Sequence, residues 1–151
     1  MAWICTDYDG TLIEQMPDPM DPEAPPQSVP TEGAVDSMNQ LTSEGHRLTV
    51  FTARFAPMPD SEKQRLKEQI EQELSAMGFP PMEVWTGTHK PAADIFIDDK
   101  AITFDKDWGL ALAQLETMLQ ERGLVDQPAP DDGSMEGMEG GEPPPQGGQP
   151  Q

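Results

Sequence analysis

The sequence predicts an α/β fold of three layers, with a mostly parallel sheet of about five strands between helices. Three observations predict it. Short β-favouring runs alternate with segments of helical periodicity, and no tight hairpin turn joins one run to the next. The run Ile95-Phe96-Ile97 is apolar without alternation, the pattern of a strand covered on both faces.

The elements follow in order. Ala2-Trp3-Ile4-Cys5 is an apolar opening strand that runs out at Thr6-Asp7-Tyr8-Asp9-Gly10. Residues 13–30 are rich in Pro and acid; Pro17, Pro19, Pro22, Pro25, Pro26 and Pro30 disfavour helix and central strand, so a stiff loop is expected. A helix starting near Thr31 places Ala34, Val35, Met38 and Leu41 on one face and closes at Gly45. Arg47 to Phe51 is a second strand ending at Thr52-Ala53-Arg54. A second helix, capped by Asp60 or Ser61, buries Leu66, Ile70, Leu74 and Met77 and ends at Gly78. Glu83 to Thr86 is a brief third strand before Gly87-Thr88-His89-Lys90-Pro91. Ile95 to Ile97 follows and stops at Asp98-Asp99, and Ile102 to Phe104 reads as a short edge strand. Trp108, Leu112, Leu115 and Leu119 then form a core-facing helical stripe up to Gly123.

Composition bounds the rest. The fold is expected over residues 1–125, because residues 126–151 are Pro, Gly, Gln and acid and hold too little apolar surface to offset the entropy of ordering. Formal net charge is −19, of which six acids in that tail leave −13 for residues 1–125. A body so acidic repels membranes and extended nucleic acid, whereas small metal-complexed anions stay compatible with it. The single cysteine, Cys5, allows no intrachain disulfide and is expected as a small buried thiol. With no basic-then-apolar leader and no long apolar run, a cytoplasmic protein is expected.

In parallel α/β sheets ligands bind beyond the carboxyl ends of the strands. Each unusual polar cluster in this chain lies at such an end, which gathers Asp7, Asp9, Thr52, Lys90, Asp98 and Asp99 on one rim. Two aspartates where a buried strand stops are costly unless a cation, a shared proton or backbone N–H groups offset their repulsion. Gly10, free of a Cβ, lets the backbone turn sharply and aim N–H groups at a small anion. Phosphoryl chemistry is the reaction class these residues suggest.

In this arrangement the chain resembles the haloacid dehalogenase superfamily. Asp7-Tyr8-Asp9-Gly10-Thr11-Leu12 is similar to its first motif, Thr52 to its second, Lys90-Pro91 to its third and Asp98-Asp99 to its fourth, in the family's order. The resemblance implies a Rossmann-like core and a phosphomonoester hydrolase that works through an aspartyl-phosphate. Asp7 would be the nucleophile and Asp9 the general acid/base. Thr52, with the neighbouring backbone at Ala53, and Lys90 would hold the phosphoryl group beside Gly10. Mg²⁺ would be held by Asp7, the Asp9 carbonyl and Asp98, with Asp99 binding through water or orienting Lys90. Arg54 would meet a second anionic group of the substrate or form a surface ion pair. Neither family position for a cap domain holds one, since residues 13–30 are only a Pro-rich loop. The site is thus expected to be open to small phosphorylated substrates and bulkier ones, unless that loop or a homo-oligomer partner covers it. The competing expectation is a catalytically idle module that binds a phosphorylated partner on the same fold.

Overall fold

The computed structural model describes residues 1–125; the tail expected over 126–151 lies outside the described residues. The chain divides after Ala101 into two compact units.

The first unit is built on β1 (Trp3–Asp7), β4 (Arg47–Phe51), β5 (Glu83–Val84) and β6 (Ile95–Ile97), which form one parallel sheet in the order β5-β4-β1-β6. This is the expected Rossmann-like α/β sheet, with four strands among the described residues rather than about five. Register pairs Ile4 with Leu48 and Ile95, and Thr6 with Val50 and Ile97. Helix α1 (Ala34–Ser43) joins β1 to β4, and α2 (Asp60–Ala76) joins β4 to β5. Both pack into one core: Ala34 and Met38 from α1, Ile70 and Leu74 from α2, and Ile4, Leu48, Val50 and Val84 from the sheet. These are the stripes read from the 3.6-residue period, and burying them is the main stabilising term. Cys5 is buried in β1, and desolvation pushes its thiol up to about 11, which keeps it protonated.

Strand order places a topological switch between β1 and β6. The chain builds outward from β1 through β4 to β5, then returns to add β6 on the other side of β1. The carboxyl ends of β1 and β6 therefore lie side by side, at the kind of position where ligands bind in such sheets.

Several expectations are corrected. Residues 13–30 are not a plain loop: β2 (Ile13–Met16) and β3 (Gln27–Pro30) pair antiparallel, Ile13 opposite Pro30 and Met16 opposite Gln27. Pro17 to Pro26 lie in the connection and Pro30 ends a strand, positions where a missing N–H is tolerated. Ile95, Phe96 and Ile97 are not covered on both faces. Among the described residues β6 is an edge strand that pairs only with β1, and Ile95 is 51% exposed. Ile102 to Phe104 forms no strand. Helix α1 begins at Ala34 after a left-handed Gly33, and α2 begins at Asp60 itself, with neither Asp60 nor Ser61 capping it.

The described part of the second unit carries α3 (Trp108–Glu121), whose N-cap Asp107 accepts hydrogen bonds from the amides of Gly109 and Leu110. Its expected core stripe is exposed: Ala111 alone is buried, while Trp108, Leu112 and Leu115 are open to solvent. Among the described residues no helix is long and apolar enough to cross a membrane.

Candidate functional site

Asp7 is the last residue of β1, and Asp98 and Asp99 directly follow β6. Because the two strands are parallel neighbours, their carboxyl ends meet, and carboxylate oxygens of the three aspartates lie within 4.8 Å of one another. Burial is the largest cause that pushes the Asp7 carboxyl up, to about 6; the Asp98 and Asp99 carboxylates push the same way, against a hydrogen bond from the Tyr8 amide. Such a group of oxygens is a ligand set for a hard divalent cation, which would relieve the repulsion that the metal-free cluster carries. These residues fit that role chemically.

The loop after β1 is tied down. The Tyr8 carbonyl accepts from the Leu12 and Ile13 amides at 3.0 and 3.2 Å, and the Gly10 amide donates to the Ile13 carbonyl at 2.9 Å. Gly10 therefore does not offer its amide to an anion, contrary to the sequence reading. Its size matters instead. Gly10 has φ +81°, and a Cβ there would sit 2.8 Å from Asp99 Oδ2. The absence of a side chain lets Asp99 close over the loop.

Thr11 joins the two strand ends, its hydroxyl accepting from the Asp99 amide at 3.2 Å. The Thr31 hydroxyl at the foot of the β2–β3 ribbon donates to the Thr11 carbonyl at 2.6 Å. Sequence reasoning gave Thr11 no role beyond the motif and Thr31 only a helix start. Nothing local in the sequence signals either bond, since both depend on partners distant in the chain.

Asp9 stands apart from the three clustered aspartates. Arg54 Nε donates to Asp9 Oδ2 at 2.8 Å and an Arg54 terminal N–H donates to Oδ1 at 2.5 Å, a bidentate fork on a half-open carboxylate. This hydrogen bonding to Asp9 is the leading cause that raises the Arg54 pKa further above its ordinary value. Arg54 also lies over the Tyr8 ring, 5.0 Å from its centroid, and the Tyr8 hydroxyl donates to Glu73 Oε2 on α2 at 2.8 Å. Tyr8 is fully buried, and desolvation first, then Glu73, pushes its phenol well above the usual range. Of the two roles left open for Arg54, the structure has an ion pair, made with Asp9.

Thr52 caps the short 3₁₀ turn Ala53–Phe55, its hydroxyl oxygen accepting from the Arg54 amide at 3.3 Å. The hydroxyl proton remains to be donated elsewhere. Ala53 begins that turn. Lys90 is exposed in the loop before β6, and its ammonium lies 4.2 Å from the Phe96 ring centroid. Thr52 and Lys90 line one cleft of ≈ 390 Å³, whereas the three clustered aspartates do not line it.

Comparison with known proteins adds little to this geometry. No family model matches the chain, and no curated protein matches it. A solved structure of a conserved protein coded by a locus from Bacteroides thetaiotaomicron is similar at 21% identity. The match covers 83% of this chain and 98% of that one, with a TM-score of 0.44.

Proposed function

We propose that the chain is a Mg²⁺-dependent phosphomonoester hydrolase of the haloacid dehalogenase type, acting through an aspartyl-phosphate on Asp7. The observation that carries this reading is the convergence of Asp7, Asp98 and Asp99 at the switch point between β1 and β6. Nothing in a stable core requires three carboxylates there, and a site that binds a dication and a phosphoryl group does.

In this reading an Asp7 carboxylate oxygen attacks phosphorus in line, forming a P–O bond as the bond to the leaving oxygen breaks. Asp9 protonates that leaving oxygen, then takes a proton from the water that attacks the phosphorylated Asp7 and releases inorganic phosphate. Thr52 donates its hydroxyl to a phosphoryl oxygen, and Lys90 offsets charge that persists through the transition state. Asp7, the Asp9 carbonyl, Asp98 and Asp99 would hold Mg²⁺ directly or through water. When bound, the ion offsets repulsion between the nucleophile and the phosphoryl oxygens.

One observation favours a second reading, a phosphate-binding module without turnover. Asp9 is forked by Arg54, and a carboxylate with both oxygens so occupied donates no proton. Hydrolysis requires Arg54 to release at least one of those oxygens when substrate binds. A generic aryl phosphate separates the readings. Hydrolysis that needs Mg²⁺ and is lost in Asp7→Asn supports the enzyme; Mg²⁺-dependent phosphate binding without turnover supports the module.

A further inference from the structure

The cleft beside Thr52 and Lys90 is larger than a phosphoryl group needs. Its ≈ 390 Å³ matches the lower range of small-molecule sites. Besides those two residues it is bounded by Phe51 and Phe55, by Lys63 of α2, and by Trp85 and His89 from the loop after β5. We propose that this cleft is a leaving-group subsite, and that it selects phosphomonoesters whose flat body carries a second anionic group held by Lys63. The inference rests on the hydrolase reading, which it deepens.

Charge is the first argument. The chain holds 28 acidic and 9 basic residues, yet this cleft is lined by two lysines and a histidine and, among the described residues, by no carboxylate. A positively lined concavity in so acidic a surface focuses anions to one place. The Lys63 side chain is only 13% exposed, and its ammonium is 3.0 Å from Asp60 Oδ1. Asp60 is almost fully exposed, so this pair is weak and an incoming anion can replace it. Arg54, the other cation at this rim, is already forked onto Asp9.

Shape is the second argument. The Trp85 indole N–H donates to the His89 carbonyl at 2.8 Å, and the His89 ring stands edge-on to it at 5.2 Å. Gly87 makes this placement possible, because a Cβ at that position would come within 2.8 Å of the indole nitrogen. Trp85 is thus a fixed wall, and with Phe51 and Phe55 it gives the cleft apolar surfaces suited to a ring.

The test compares 4-carboxyphenyl phosphate with phenyl phosphate, which differ by one remote carboxylate. The unaltered protein is expected to favour the carboxylated ester in kcat/KM by about tenfold, as for one charge-assisted contact. Lys63→Gln brings the ratio toward one, and Lys63→Arg keeps most of it. A ratio near one in the unaltered protein, or a preference that survives Lys63→Gln, overturns the subsite. If neither ester is hydrolysed, the hydrolase reading has failed, and binding decides the subsite separately. In that case 4-carboxybenzylphosphonate should bind more tightly than benzylphosphonate in a tryptophan-fluorescence titration, an advantage lost in Lys63→Gln. Equal affinities overturn the inference.

Discussion

Replacing Asp7 by Asn separates the electrostatic account of the site from a merely structural one. In the folded chain Asp7 holds its proton up to about pH 6, because burial and the Asp98 and Asp99 carboxylates disfavour its charge. The unfolded chain releases that proton near pH 4. Between those values the folded state binds more protons, so stability falls as pH rises through the window, and the full penalty applies above about pH 6. Discounted for the solvent that screens a half-open site, the penalty is about 1 to 2 kcal/mol. Asp7→Asn removes it. The metal-free variant is therefore expected to melt higher than the unaltered protein at about pH 7.5, by roughly 4 to 8 °C for each kcal/mol, with the gap narrowing toward about pH 4.5. Mg²⁺ should stabilise the unaltered protein, by about 1.4 kcal/mol at ten times its Kd, and stabilise Asp7→Asn much less. Thermal melts followed by tryptophan fluorescence, with and without Mg²⁺ at both pH values, read all of this. A metal-free Asp7→Asn that melts lower than the unaltered protein at about pH 7.5 would refute the reasoning.

Three further outcomes are expected. Gly10→Ala forces a side chain into φ +81° and against Asp99 Oδ2; it should cost about 1 to 2 kcal/mol in urea unfolding and weaken Mg²⁺ binding. An unchanged Mg²⁺ titration would show that Asp99 needs no room over Gly10. Arg54→Ala frees both Asp9 oxygens and should raise the turnover of alkyl phosphates relative to aryl phosphates, since poor leaving groups depend most on the acid. Loss of alkyl turnover instead would make the fork a necessary part of the site. Ile70→Ala, at a fully buried position between α2 and the sheet, should lose about 2 to 5 kcal/mol by chemical denaturation while Mg²⁺ binding by the folded fraction persists.

What the sequence made legible was local. The stripes Ala34/Met38 and Ile70/Leu74 announce their helices through period alone, and the apolar runs ending at Asp7, Phe51 and Ile97 announce strands whose carboxyl ends share a rim. The convergence of Asp7 with Asp98 and Asp99 follows from that parallel pairing. Partners set by tertiary approach were not legible: the Arg54 fork on Asp9 and the Tyr8 bond to Glu73 span 45 and 65 residues with no periodic signal. The β2–β3 ribbon is not legible because the prolines disfavour helix and central strand and so suggest a loop, although prolines in the connection and at a strand end leave the ladder of a two-stranded ribbon intact. Burial of Ile95–Ile97 and of the α3 stripe does not follow from apolarity, which records what a surface favours and not how much of it is covered.

The central claim is that phosphate passes through Asp7. Asp9→Asn, which keeps the nucleophile and removes the acid/base, is incubated with Mg²⁺ and an aryl phosphate, quenched in acid and analysed by peptide mass spectrometry. The account predicts one phosphoryl group on the peptide that contains Asp7, absent without Mg²⁺ and absent when Asp7→Asn is added to the same chain. Hydrolysis by the unaltered protein with no phosphorylated intermediate in Asp9→Asn, or with the phosphoryl group on another residue, would contradict it.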